Sequence, residues 1–112
     1  MVKLIAIMKR KDGLTYEEFS RYWYEKHRPL AVKVIPGLRK YVQNHEVKLP
    51  GGGESRIDGV AELWFDDLQS FQAMTDWRMS DDAKILLDDE KSFMDMSKVI
   101  AFVTEERVIK ES

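Results

Sequence analysis

An α+β domain, with a four-stranded antiparallel sheet and helices packed on one of its faces, is predicted by three features of the sequence. Stretches with two-residue alternation at Val2 to Lys9, Leu38 to Lys48, Arg56 to Phe65 and Lys98 to Ile109 read as strands. Stretches with three- and four-residue apolar spacing, opening at Thr15 and after Asp66-Asp67, read as helices. Their order is strand, helix, strand, strand, helix, strand, the split βαβ arrangement. No break in composition interrupts the 112 residues, so a single domain over 1–112 is expected, large enough to bury a core without disulfides or a structural metal.

The first strand alternates Val2, Leu4, Ala6 and Met8 against Lys3, Ile5, Ile7 and Lys9. Its middle is apolar on both sides, as a strand inside a sheet requires. Asp12-Gly13 makes a turn. Thr15 followed by Glu18 is then a capping box, and Phe19, Tyr22, Trp23, Lys26 and His27 fall three and four apart behind it. Pro29 removes a backbone donor and biases Arg28 away from the α region, so the helix is expected to end or kink just after His27. That end would favour a charged imidazole. Leu30 to Ile35 can add a short second helical piece before Pro36-Gly37 stops it.

The second strand is more polar, as at a sheet edge, with Tyr41 on the face of Arg39, Gln43 and His45, and Asn44 on the other. Leu49 to Ser55 carries Pro50 and three consecutive glycines and reads as a hairpin connection. Without a following Gly-Lys-Ser/Thr it is not a phosphate-binding loop. The third strand sets Asp58, Val60, Glu62 and Trp64 on one face. Asp66 or Asp67 caps a helix whose buried stripe is Leu68, Phe71 and Met74. After a break at Trp77 to Asp82, a short helix should reach Leu87 with Ile85 and Leu86 inward. Asp88-Asp89-Glu90 then reads as a solvated acidic turn. The last strand is apolar on both faces from Val99 to Val103, and Glu105 to Lys110 reads as an arm leaving the sheet.

Composition narrows the function. The net charge is -2, with 18 basic and 20 acidic residues and no block of one sign, so no basic nucleic-acid footprint is visible. The absence of Cys rules out thiolate chemistry and disulfides. The apolar run Leu4 to Met8 is too short to span a bilayer, and a soluble, cytoplasmic protein without membrane partners is expected. If helices cover one sheet face, the other keeps side chains such as Ile5 and Ile7, or Leu4 and Ala6. An apolar patch of several hundred Å² is of interface size. At about 25 cal/mol per Å², burying it is worth several kcal/mol before association costs, so a homodimer is expected.

The run Phe19-x-x-Tyr22-Trp23-x-x-x-His27-x-Pro29-Leu30 resembles the EthD family of small dimeric α+β barrel proteins. Asp58-Gly59-Val60-Ala61-Glu62-Leu63-Trp64-Phe65 is similar to that family's third strand, and Gly37-Leu38 with Tyr41 and Asn44 to its second. The resemblance implies a ferredoxin-like βαββαβ subunit, a dimeric α+β barrel and a ligand cavity between sheet and helices. It does not name a reaction, because such folds host cofactor-free isomerases and dehydratases, monooxygenases, haem proteins and companions of ether-degrading oxidative systems.

The site must therefore come from residues. His27 is the candidate proton carrier, since an imidazole titrates near neutrality. Its blander role is a hydrogen bond to a helix-end carbonyl. Asp58 is the candidate second acid–base or orienting group, because a carboxylate on an inner sheet face needs a partner; otherwise it is a turn residue beside Gly59. Tyr41, Asn44, Glu62, Trp23 and Trp64 are candidate ligand contacts, with Trp64 suited to stacking on a flat ligand. Alternation sets Tyr41 and Asn44 on opposite faces, so one of them at most enters a given pocket unless the strand bulges. His45 and His27 show no metal-binding spacing, and haem is not expected. The leading reading is a cofactor-free acid–base isomerase or dehydratase acting on a small apolar cyclic or aromatic metabolite. The alternatives are an oxidoreductase or oxygenase accessory protein, and a non-catalytic carrier of a hydrophobic ligand.

Overall fold

The computed structural model describes every residue except Glu54. Strand β1 (Val2–Met8) leads to helix α1 (Tyr16–Tyr22), a π-helical turn at Trp23–His27, and helix α2 (Arg28–Val34). Strands β2 (Lys40–His45) and β3 (Gly59–Phe65) come next, then α3 (Leu68–Arg78), α4 (Lys84–Phe93) and β4 (Ile100–Thr104). All strand pairs are antiparallel and the sheet order is β2-β3-β1-β4, the ferredoxin-like arrangement. The doubly apolar β1 is interior and the polar β2 is at an edge.

The capping box forms as its spacing predicts, with the Glu18 N–H donating to Thr15 Oγ1 and the Thr15 N–H to Glu18 Oε1. Asp67 is the N-cap of α3. The helix-facing side of the sheet comes from Leu4, Ala6, Met8, Ala61, Leu63 and Phe65, and packs on Phe19, Trp23, Met74 and Phe93. Phe19 is the hub, its ring centroid 5.6 Å from those of both Trp23 and Phe93. Gly59 sits beneath the indole. A Cβ there would lie 2.6 Å from a Trp23 ring carbon, so close approach rather than turn geometry calls for glycine.

Several expectations are corrected. The helix does not end after His27, because the π turn absorbs Pro29 into the first turn of α2 and helical backbone continues to Val34. No helix C-terminus therefore acts on His27. The second acidic run is not a turn: α4 continues through Asp88, Asp89 and Glu90 to Phe93. Leu68 and Ile85 are exposed, since they lie on the outer sides of α3 and α4, whereas Leu86 is fully buried. Strands β2, β3 and β4 are shorter than the alternating runs, and residues after Thr104 form no strand.

Among the described residues, the opposite face of the sheet carries no helix. Cross-strand neighbours Ile5 and Phe102, and Ile7 and Ile100, form its apolar part, with Ile100 61% and Phe102 49% exposed. Its polar part is Lys3, Glu62 and Asn44 beside Trp64. Among the described residues, no helix is long and apolar enough to cross a membrane.

Candidate functional site

His27 closes the π turn. The Arg28 N–H donates to the carbonyl of Trp23, five residues back. The Gln43 side-chain amide, reaching in from the edge strand, donates to that same carbonyl at 3.0 Å. His27, four residues after the buried Trp23, lies on the same inward side, where it is 6% exposed and packs 5.0 Å from the Phe93 ring.

His27 Nδ1 lies 2.8 Å from Asp89 Oδ2, and Asp89 Oδ1 accepts from the Tyr22 hydroxyl. An ionised carboxylate only accepts, so Nδ1 carries the proton and Nε2 of the neutral ring holds the lone pair. The same carboxylate raises the Tyr22 pKa, its hydrogen bond favouring the protonated phenol. Among the described residues Nε2 has no partner. His27 lines a cavity of about 170 Å³ between the sheet and the helices, walled mainly by Leu4, Ala6, Leu63, Met74, Met94 and Met96. Its remaining polar lining is Arg78 and Glu90. Arg78 Nη1 and Nη2 fork onto Glu90 Oε2 and Oε1 at 2.9 and 2.8 Å, and the Glu90 hydrogen bonds raise the arginine pKa further. Asp89 with Tyr22 and His27 can hold and release a proton. The cavity beside them can exclude water from its path.

Asp58, the carboxylate assigned to His27 from the sequence, is placed elsewhere. It precedes β3 where Gly59 pairs with Met8, and so accepts from the Arg10 backbone N–H at 2.8 Å and Arg10 Nη1 at 2.7 Å, with Lys9 Nζ 3.3 Å away. The group beside His27 is Asp89. Trp23 is core, 1% exposed. Tyr41 faces the helices, its hydroxyl accepting from Trp23 Nε1 and Gln43 Nε2 at 3.2 and 2.9 Å, and burial raises its pKa. Asn44, Glu62 and Trp64 lie on the helix-free face, as the parity of their strands dictates. There Asn44 Nδ2 and Lys3 Nζ both donate to Glu62 and hold its pKa down, Asn44 most strongly, while Lys3 and Lys40 flank the Trp64 ring.

His45 belongs to a separate chain of hydrogen bonds outside the cavity. Gln43 spends its amide N–H groups on Trp23 and Tyr41, so its Oε1 accepts from His45 Nε2 at 2.8 Å. His45 Nδ1 then accepts from Ser20 Oγ at 2.6 Å. Burial lowers the His45 pKa. An open depression of about 530 Å³ beside it, bordered by Tyr16, Tyr24 and Lys48, lacks the enclosure of the His27 cavity.

Sequence reasoning missed Asp89, Glu90 and Arg78. The signal was present: Leu86, Glu90 and Phe93 fall four and three apart on one helical stripe, which marks a carboxylate facing the core.

A family model for the EthD domain matches residues 11–97. The chain belongs to the EthD family. This EthD chain is similar to the structure of an ethyl tert-butyl ether d (EthD) family protein from Bacillus halodurans, at 30% identity over 96% of this chain and 99% of the other, TM-score 0.71. An EthD-like protein from Ralstonia eutropha shares the fold at 13% identity, over 97% and 94% of the two chains, TM-score 0.65. A dimeric ferredoxin-like protein from Thermobifida fusca does so at 17% identity, over 92% and 88%, TM-score 0.60. No curated protein sequence matches. Among the described residues, no group of three or more His, Asp or Glu is arranged to hold a metal ion.

Proposed function

We propose that this EthD protein is a cofactor-free acid–base enzyme that moves a proton on a small apolar ring compound, in an isomerisation or an elimination. One observation carries the reading: His27 Nδ1 is fixed by Asp89, while Nε2 has no partner among the described residues and His27 lines a partly enclosed, largely apolar cavity. A general base needs a free lone pair within reach of substrate, and a partner that steadies the imidazolium once it forms. Tyr22 steadies that partner in turn. The cavity volume also selects the ligand. About 150 Å³ of apolar cavity holds one benzene, so about 170 Å³ suits a single ring and not a fused polycycle. Catalysis belongs to His27 and Asp89 in this reading, and Asp58 serves the loop after β1.

The working form is a cytoplasmic homodimer with the two helix-free faces packed together. Support comes from the exposed Ile100 and Phe102 on that face and from the Thermobifida relative, described as dimeric. Asn44, Glu62 and Trp64 are then interface residues.

The test begins with mass spectrometry of whatever small molecule co-purifies, and then compares its fate with wild type and His27→Ala. Loss of a positioned acid–base group lowers turnover about 10²- to 10⁴-fold. Full turnover by His27→Ala overturns the assignment. A second reading, a carrier of hydrophobic metabolites, draws support from Met8, Met74, Met94 and Met96 in the wall, since methionine adapts to varied ligands. It predicts that the ligand is recovered unchanged after incubation with wild type.

A further inference from the structure

We infer that Arg78 is the oxygen-binding group of the His27 cavity, and that the substrate is a neutral single-ring carbonyl compound, a ketone, enone or lactone. The inference rests on the acid–base reading of His27 and adds the chemical class on which it acts.

A guanidinium has five N–H donors. Arg78 uses one on Nη1 and one on Nη2 to grip Glu90, and among the described residues its other donors have no partner. The fork fixes the plane of the group, and Arg78 lines the cavity, so its remaining donors keep a set orientation there. Glu90 is 8% exposed although it borders an apolar space. The pair is half-buried, the Arg78 side chain being 31% and that of Glu90 10% exposed, and burying the carboxylate carries a desolvation cost that a well-packed apolar contact between α3 and α4 would not. The pair's position on the wall beside His27 is what an apolar pair would not supply.

Charge decides between ligand classes. Arg78 is balanced by Glu90, and Asp89 stands behind His27, so the site holds one cation against two carboxylates. A substrate that arrives as a carboxylate is repelled. A neutral carbonyl is not, and its oxygen acquires negative charge only during reaction, where fixed N–H donors contribute most. His27 Nε2 takes the proton from the carbon next to the carbonyl. The C–H bonding pair becomes the C=C bond of the enolate, and the carbonyl π pair moves to oxygen, which accepts from Arg78. In isomerisation of a β,γ-unsaturated carbonyl compound the enolate is a dienolate, the oxygen pair reforms C=O, the double bond shifts to the α,β position and the imidazolium returns the proton to the γ carbon; in elimination the oxygen pair reforms C=O, the C=C pair shifts to the α,β bond, and a β-oxygen leaving group takes the C–O bonding pair and that proton. Arg78 stays protonated throughout, and Glu90 acts as a positioning residue through it.

The experiment compares cyclohexanone with methylenecyclohexane, a ring of similar shape that lacks the oxygen, by titration into the labelled protein monitored by NMR. Wild type is expected to bind the ketone about tenfold more tightly, the effect of a hydrogen bond to a charged donor. Arg78→Met combined with Glu90→Gln leaves no unpaired buried carboxylate and should bind both rings equally. Glu90→Gln alone should reduce the ketone preference without altering methylenecyclohexane binding, which a merely structural role would change for both rings. His27→Gln should keep the ketone preference and lose deuterium uptake from D₂O at the ketone's α carbons. A wild type without ketone preference, or a preference that survives in the double variant, overturns the role of Arg78. Deuterium uptake that persists in His27→Gln overturns the acid–base reading instead.

Discussion

Replacing Asp89 by asparagine keeps the shape of the side chain and an acceptor for Tyr22, yet reverses what His27 meets. The substitution removes a 2.8 Å bond from a ring nitrogen to a carboxylate, between side chains 7% and 16% exposed. Hydrogen bonds to charged groups contribute about 1.5–3 kcal/mol, equivalent to roughly 10- to 150-fold if the whole of it bears on the transition state. A change of tautomer adds to this effect. The asparagine amide can donate to Nδ1, which places the ring proton on Nε2 and presents the cavity with a donor where a base is needed. Two-bond ¹H–¹⁵N correlations at about pH 7.5, above the ordinary imidazole range, should show His27 protonated at Nδ1 in wild type and at Nε2 in Asp89→Asn. Turnover of the co-purified ligand should fall at least about tenfold by the same energetic argument. A wild-type ring protonated at Nε2, or an inverted ring that still turns over ligand at the wild-type rate, refutes the reasoning.

Packing, burial and the bare sheet face set three further outcomes. Gly59→Ala drives a methyl group to 2.6 and 2.9 Å from Trp23 ring carbons, and overpacking of this kind costs about 1–3 kcal/mol, so the thermal midpoint should drop by several degrees; an unchanged melt would mean the indole gives way freely. His45 has a folded pKa below its usual 6.5 because of burial, so the unfolded chain binds the additional proton. Its stabilising contribution is complete above about pH 6.5 and is lost as pH falls toward the folded value; His45→Gln should flatten the dependence of the melting temperature on pH between about 7.5 and about 5.5, and an equal slope in both proteins would exclude His45 as its source. Phe102→Asp sets a carboxylate in the apolar part of the helix-free face, and light scattering should then report the 13.1 kDa chain where wild type gives twice that mass; a wild-type monomer would remove the homodimer from the proposal.

The fold was legible because local signals and global order agree. Thr15 with Glu18 marked the start of α1, the pair Asp66-Asp67 that of α3, where Asp67 proves to be the cap, and doubly apolar β1 its interior place in the sheet. Strand parity also separated Tyr41 from Asn44, and it holds in the structure. What parity alone left open was which side the helices cover. Because Ala61, Leu63 and Phe65 face the helices, Glu62 and Trp64 must face away, and two of the residues chosen as ligand contacts leave the cavity together. Asp58 failed for a different reason: it lies before the regular part of β3, where backbone pairing with Met8 brings Arg10 and Lys9 to it. Acidic residues in succession read as solvated surface, and that prior concealed Asp89 and Glu90, whose helix turns one carboxylate to His27 and the next to Arg78.

His27 owes its position to how the chain answers Pro29. A proline nitrogen cannot donate to the carbonyl four residues earlier, so a regular helix through 25–29 would leave a backbone acceptor without its intrahelical donor. Ending the helix would be one solution, and would leave His27 at an exposed terminus. The chain instead continues: the Arg28 N–H reaches back to Trp23, Gln43 gives that carbonyl a second donor, Arg28 Nε donates to the Tyr24 carbonyl at 2.9 Å, and Ala31 is buried in α2. Trp23 and His27 then occupy the two ends of one wide turn, the first pressed on Gly59 and the second on Phe93 and Asp89. The proline thus does not mark where the helix stops: helical backbone runs on to Val34, and His27, at the join, lines the cavity.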